Sequence, residues 1–184
     1  LASATSGNVR ALEGDLTEDD FVARLSDTAG EVDILVNSAG ATAHAPFLDS
    51  DPSMWDRAWR INVDAPLRLT QLVARGMAER RRGHIINITS VLARDIYPLT
   101  MFYAATKHAT AAITRGLRLE LAEHGIRVTE IAPGLVDTGM MNKPDHPKVV
   151  AAYAARRADR LSVGEVARAI LYSAAAAPGT VPEL

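Results

Sequence analysis

The sequence predicts an α/β domain built on a parallel sheet. Three observations carry that prediction. Short runs at 32–36 (VDILV), 85–88 (IINI) and 128–131 (VTEI) are nearly continuous in apolar, β-branched residues, and each closes on a turn signal. Strands buried on both faces read this way. Segments of helical period lie between them. The connections are short, with no linker, internal repeat or low-complexity tract, so the alternation reads as one α/β unit with its strands parallel.

The elements follow in chain order. A weaker strand is predicted at 8–13 (NVRALE). Thr17-x-x-Asp20 has the form of a capping box, and Phe21, Val22 and Leu25 follow at helical spacing. The strand VDILV runs into the turn Asn37-Ser38-Ala39-Gly40. Asp51 before Pro52 is an N-cap followed by proline at the first helical position. Trp55, Trp59, Val63, Leu67, Leu69, Leu72, Val73 and Met77 then keep a helical period as far as Arg80, which predicts one long helix stopped by Gly83. A further helix is predicted over 101–124, with Gly125 as its C-terminal stop. Pro133-Gly134 forces a turn after the strand VTEI. A helix is predicted at 147–158, and Ser162-x-x-Glu165 opens a last one that runs to Ala176, before Pro178.

Composition sets the outer bounds. The chain has 184 residues, 48% hydrophobic and 23% charged, which fits one globular domain with a core and excludes intrinsic disorder. A formal net charge of -2 offers nucleic acid no electrostatic footprint. No apolar run approaches the ~20 residues of a membrane helix, and no basic-then-apolar signal segment opens the chain. Cysteine is absent, so disulfides and thiolate metal sites are excluded. His44, His84, His108, His124 and His146 show no helical His-x-x-x-His spacing and read as surface or packing residues, so no metal site is expected. Arg80-Arg81-Arg82 reads as a solvated helix end.

In an open parallel sheet the ligand crevice lies outside the carboxyl ends of the strands. The residues just past each strand are therefore the ones to read for chemistry. Asn37-Ser38-Ala39-Gly40 combines small residues that let a ligand approach the backbone with an asparagine able to tie strand ends together. Thr89 and Ser90 follow IINI and place hydroxyls at a strand end. Tyr103 and Lys107 stand four apart on one helix face. An ammonium beside a phenol favours the phenolate, so the pair can act as general acid/base in hydroxyl–carbonyl interconversion. Asn62 interrupts an apolar helix interior where asparagine is a poor choice, which calls for a kink or a buried water contact. Thr138, after Pro133-Gly134, could cap a following helix or bind a ligand amide or phosphate. Each of these has an ordinary alternative as a turn, cap or surface pair. Their common placement on the crevice side of one sheet favours function.

On these residues the chain resembles the short-chain dehydrogenase/reductase family over nearly its whole length. The family's Asn-Asn-Ala-Gly motif appears as Asn37-Ser38-Ala39-Gly40, and its active-site tyrosine and lysine match Tyr103-Ala-Ala-Thr-Lys107. The family serine, thirteen residues before the tyrosine, is Ser90, and the helix asparagine is Asn62. The resemblance implies a Rossmann-like doubly wound parallel sheet and hydride transfer between NAD(P)(H) and an alcohol or carbonyl. It implies that Tyr103 is the proton donor or acceptor and that Lys107 lowers its pKa and holds the nicotinamide ribose. Ser90 would polarise the substrate oxygen, and Asn62 would hold a water linking Lys107 to solvent. The cofactor, NADP or NAD, would be held by Asp15, Leu16, Asn37, Ala39, Gly40, Tyr103, Lys107, Pro133, Gly134, Val136 and Thr138. Ser90, Leu92, Tyr103 and Leu135 would meet a small alcohol, ketone or hydroxy acid. The tail from Ser162 resembles NADP-dependent reductases of broad specificity. The resemblance further implies a cytoplasmic enzyme that is a homodimer or homotetramer in its full-length form.

The chain also departs from the family pattern. The glycine-rich pyrophosphate turn has no counterpart, since the glycines before residue 40 are Gly7, Gly14 and Gly30. Strands one, two and most of the last strand are missing from the expected order 3-2-1-4-5-6. Residues 1–184 thus read as a single partial NAD(P)-binding domain. The strand at 8–13 would have no neighbour, and VDILV would expose an apolar edge. Poor folding and poor dinucleotide binding are the expectations for this chain alone. Two alternatives from other classes are a non-catalytic dinucleotide-binding relative or inactive fragment, and a sugar-nucleotide epimerase or dehydratase that also uses Tyr-x-x-x-Lys.

Overall fold

The computed structural model describes residues 9–140, 146–156 and 160–177. Among them, three strands form one parallel sheet in the order β1 (Ile34–Asn37), β2 (Gly83–Ile88), β3 (Ile126–Ile131). Register is set by Asn37 opposite Asn87 and by Ile88 opposite Ile131, so all three strands end at one level. Six α-helices accompany the sheet: α1 (Asp19–Ala29), α2 (Pro52–Trp59), α3 (Ala65–Glu79), α4 (Met101–Leu121), α5 (Pro147–Ala155) and α6 (Val163–Ala175).

Side chains alternate across a strand. Ile85 and Val128 face α3 and α4, where Val73, Ala74 and Met77 pack on them, joined by Leu117 and Leu121. Ile86 points the other way and is just as buried, and α6 packs across β2 and β3. The result is the Rossmann-like α/β layering that the sequence predicts. β1 lies on the edge of the described sheet, with Ile34 and Val36 exposed.

Several elements differ from expectation. Residues 9–13 form no strand and are exposed. A strand needs a partner for its backbone groups, and none of the described residues pairs with this segment, whose first predicted residue, Asn8, lies outside them. The capping box at Thr17 does not form. α1 begins at Asp19 with Glu18 as an N-cap that makes no side-chain bond, while Asp15 Oδ1 accepts from Thr17 N at 2.9 Å. The edge strand starts two residues later and ends one later than predicted, at Ile34–Asn37 instead of 32–36. The 101–124 helix is α-helical to Leu121 and closes through a 3-10 turn, Ala122–His124. Gly125 then takes φ 72°, where a Cβ would collide with the Arg81 carbonyl oxygen. α5 ends at Ala155, and positions 157–159 lie outside the described residues. The Ser162/Glu165 capping box does form.

The helix predicted from Pro52 to Arg80 is broken by one turn of π-helix, Arg60–Asp64. The cause is Pro66. It has no N–H for the Asn62 carbonyl four residues back, and its ring crowds that carbonyl. The ladder slips by one, so Ala65 N bonds to the Arg60 carbonyl. At Arg80–Arg82 the last two residues are exposed, as a solvated helix end requires, and all three are also bonded. Arg80 donates to the Val32 carbonyl and pairs with Glu31, Arg81 donates to the Glu123 carbonyl, and Arg82 pairs with Asp33.

Candidate active site

The carboxyl ends of the strands converge on a dense polar network. Asn37 closes β1, and its Nδ2 donates to Asn87 Oδ1 (2.8 Å) and to Thr70 Oγ1 on α3 (3.0 Å). Asn87 in turn donates to Thr114 Oγ1 on α4 (2.9 Å). The asparagine therefore ties strand ends together, as its position predicts. Next to it, the turn through Gly40 approaches the catalytic candidates. A Cβ on Gly40 would stand 3.5 Å from Asn62 Oδ1 and 4.0 Å from Lys107 Nζ.

Asn62 sits in the π-turn and is buried. Its Oδ1 accepts from Ala41 N (2.8 Å), and its Nδ2 donates to the Ala41 carbonyl (2.9 Å) and to Thr106 Oγ1 (3.0 Å). The carbonyl that Pro66 leaves without a helical partner accepts from Thr110 Oγ1 at 3.1 Å. Asparagine in this helix is thus explained by a kink and a clamp. The side chain joins the loop after β1 to α4.

On α4, Thr106 Oγ1 donates to the Tyr103 carbonyl, Thr110 to that of Thr106 and Thr114 to that of Thr110. These threonines are buried, and they recur every four residues on one face. That spacing was the sequence signal for the network. Lys107 is 5% exposed and donates from Nζ to the Ile88 carbonyl at the end of β2 (3.1 Å). Its ammonium lies 5.6 Å from the centroid of the Tyr103 ring.

For the Tyr103 phenol, burial outweighs the expected pull of Lys107. It pushes the phenol up to about 12 and the Lys107 ammonium down to about 8. Both shifts leave a phenol and an ammonium at neutral pH.

Ser90 is buried directly after β2. Its Oγ accepts from Leu92 N (3.1 Å) and caps a short 3-10 turn, Val91–Ala93, which packs on α4. The capping reading of this serine therefore holds. Its neighbours are bonded to the last strand: Thr89 N to the Ile131 carbonyl (2.8 Å) and Val91 N to that of Pro133 (3.0 Å). Thr89 Oγ1 also donates to Glu130 Oε1 (2.7 Å), a buried carboxyl the sequence reading passed over.

The remaining candidates are less tightly held. Space beside Gly134 is open, with nothing within 4 Å of a Cβ there. Val136 forms an isolated parallel bridge with Leu161. Among the described residues Thr138 caps no helix; it is exposed, and its Oγ1 accepts from Met140 N (3.3 Å) in a local turn. Leu92 and Leu135 are half-buried, Ala39 is exposed, and Leu16 is half-buried behind the exposed Asp15. Tyr97 borders a cavity of about 130 Å³ with Phe47, Trp55 and Phe102, while Ile96 is exposed. That cavity includes none of Ser90, Tyr103 or Lys107.

The histidines also sort unequally. His84 is buried, with Nε2 2.9 Å from Thr129 Oγ1. His146 caps α5 and lies 3.5 Å from Asp49. His44 meets the Tyr103 ring edge to face. Sequence reading had grouped all of them as surface or packing residues. Among the described residues no three His, Asp or Glu side chains group as a metal site.

Tyr103, the buried Lys107, the strand-end Ser90 and the clamped Asn62 thus share the mouth of the parallel sheet. Residues 1–148 match the short chain dehydrogenase family model, and the chain belongs to that family. It is 32% identical over 170 residues to an uncharacterized oxidoreductase of Staphylococcus aureus (strain USA300), covering 90% of this chain and 70% of that one. It is similar to the crystal structure of a gluconate 5-dehydrogenase from Burkholderia cenocepacia J2315 in complex with NADP and tartrate. There the identity is 33%, the TM-score 0.74, and the match covers 86% of this chain and 65% of that one. It shares its fold with a short-chain dehydrogenase from Streptomyces avermitilis, at TM-score 0.84 and 24% identity over 100% of this chain and 72% of that one.

Proposed function

We propose that this chain carries the proton-transfer site of an NAD(P)(H)-dependent interconversion of alcohols and carbonyls. The observation that carries the reading is the buried Lys107 ammonium, fixed on the Ile88 carbonyl and set 5.6 Å from the Tyr103 ring. In the reductive direction the Tyr103 hydroxyl gives its proton to the carbonyl oxygen. The Lys107 ammonium offsets the charge of the phenolate left behind. Ser90 donates to the same substrate oxygen and lowers the cost of charge developing there. Asn62 holds the Gly40–Ala41 turn against α4. In the oxidative direction the proton returns to Tyr103.

A nicotinamide dinucleotide, when bound, supplies or accepts the hydride. The residues fit its nicotinamide end: Gly40 leaves no side chain in front of Lys107, and Gly134 faces open space. Asn37, Ala39, Pro133, Val136 and Thr138 complete that side, and Asp15 and Leu16 serve the adenine. NADP is the favoured form, in line with the NADP-bound gluconate 5-dehydrogenase to which the chain is similar. The substrate is a small ketone, alcohol or hydroxy acid, with Leu92 and Leu135 against its carbon chain. We place the enzyme in the cytoplasm, and the apolar Leu67 and Leu119 exposed on α3 and α4 support a homo-oligomer.

The test is NADPH and NADH oxidation with a panel of ketones, diketones and keto acids. Tyr103→Phe is expected to lower kcat by about 10²–10⁴-fold, the usual worth of a general acid, with NADPH affinity unchanged. Full turnover by that variant would remove the reading.

A further inference from the structure

We propose that His44 is a positioning residue for Tyr103. Its ring, held edge to face against the phenol, fixes the direction in which the hydroxyl is presented and keeps water off that flank. The inference rests on Tyr103 being the proton-transfer residue. The two ring centroids are 5.0 Å apart and the planes meet at 73°, a favoured aromatic geometry.

The backbone around His44 is fixed on both sides. Ala41 is held at its N–H and its carbonyl by the Asn62 side chain. Ala45 N donates to the Leu99 carbonyl at 3.2 Å. Leu99 has φ 71°, a left-handed conformation that leucine keeps only under constraint. It stands two residues before α4, the helix that carries Tyr103. Asn62 also reaches Thr106 Oγ1, whose hydroxyl donates to the Tyr103 carbonyl. His44 therefore meets Tyr103 from a frame bonded to the tyrosine's own helix through Asn62 and Thr106, and to the segment leading into that helix at Leu99.

The ring itself is suited to the task. Its Nε2 is buried with no hydrogen-bond partner among the described residues. A nitrogen in that state does nothing to anchor the side chain, so ring contacts such as that with Tyr103 hold it. Burial keeps the imidazole neutral, with its pKa pulled down to about 4. It therefore brings no charge to the phenol, and Lys107 is the charged group set against that ring.

His44→Ala and His44→Phe in the full chain test this, beside Tyr103→Phe as control. The readouts are kcat, cofactor KM and ultraviolet titration of the phenol, assigned by difference from Tyr103→Phe. Alanine is expected to lower kcat about 10-fold by loosening the tyrosine, with cofactor KM within about twofold. It also moves the phenol titration to lower pH as water reaches the ring. Phenylalanine is expected to restore kcat to within about threefold of the parent and to restore the titration, since it keeps the ring contact. Should alanine fail to fold, His44→Asn removes the ring and keeps a polar side chain. Parent-like kcat and titration without the ring would overturn the proposal. So would a phenylalanine variant as impaired as alanine, which would assign the role to the nitrogen. Because the titration reads the ring contact without turnover, an active Tyr103→Phe would sink the catalytic reading separately.

Discussion

The two ends of the sheet are built from different materials. At the amino end and middle, Val73, Ala74, Met77, Ile85, Ile126 and Val128 pack without a polar side chain among them. At the carboxyl end, Asn37, Thr70, Asn87 and Thr114 form one chain of hydrogen bonds, and Ala41, Asn62 and Thr106 form another. Apolar contact is non-directional and tolerates small shifts. Hydrogen bonds demand geometry, and buried ones specify a unique arrangement. The amino end therefore holds the fold, and the carboxyl end holds Ser90, Tyr103 and Lys107 in place.

Substitutions at each end can separate these roles. Met77→Ala, at a fully buried site against β2, is expected to cost about 2–5 kcal/mol in denaturant unfolding, with kcat per folded molecule nearly unchanged. Asn62→Ala removes three side-chain bonds and is expected to cost about 2–3 kcal/mol. Its kcat should fall much further than that of Met77→Ala. Equal effects on kcat would erase the distinction between the two ends.

Acid pH probes both ends at once. Burial holds the His44 and His84 rings neutral, each with a folded pKa of about 4 against an ordinary 6.5. The unfolded chain binds more protons between those values, so unfolding free energy should fall as pH drops from 6.5 toward 4. His44→Phe should flatten part of that slope. The smallest effect belongs to the sheet edge. Ile34→Lys, at an exposed position of β1, should change stability by no more than about 0.5 kcal/mol. It should still reduce self-association in light scattering, because a charged edge resists pairing.

Much of this was legible in the chain. β-branched runs located the three strands because buried parallel strands leave no polar alternation. The Ser162/Glu165 box and Gly125 marked real boundaries because caps and left-handed stops are local. The run at 8–13 failed because a strand exists only beside a partner. The π-turn was written in Pro66, four residues after Asn62, but apolar periodicity masked it. The threonines at 106, 110 and 114 were visible as a spacing, yet threonine alone does not say whether its face is buried.

The sequence by itself determined the parallel α/β class and the family, since these follow from periodicity, caps and motif spacing. Only the tertiary structure decided the protonation state of the Tyr103–Lys107 pair, because desolvation depends on what surrounds both groups. It alone brought His44 to the phenol, since a contact between residues on separate elements is set by how those elements pack.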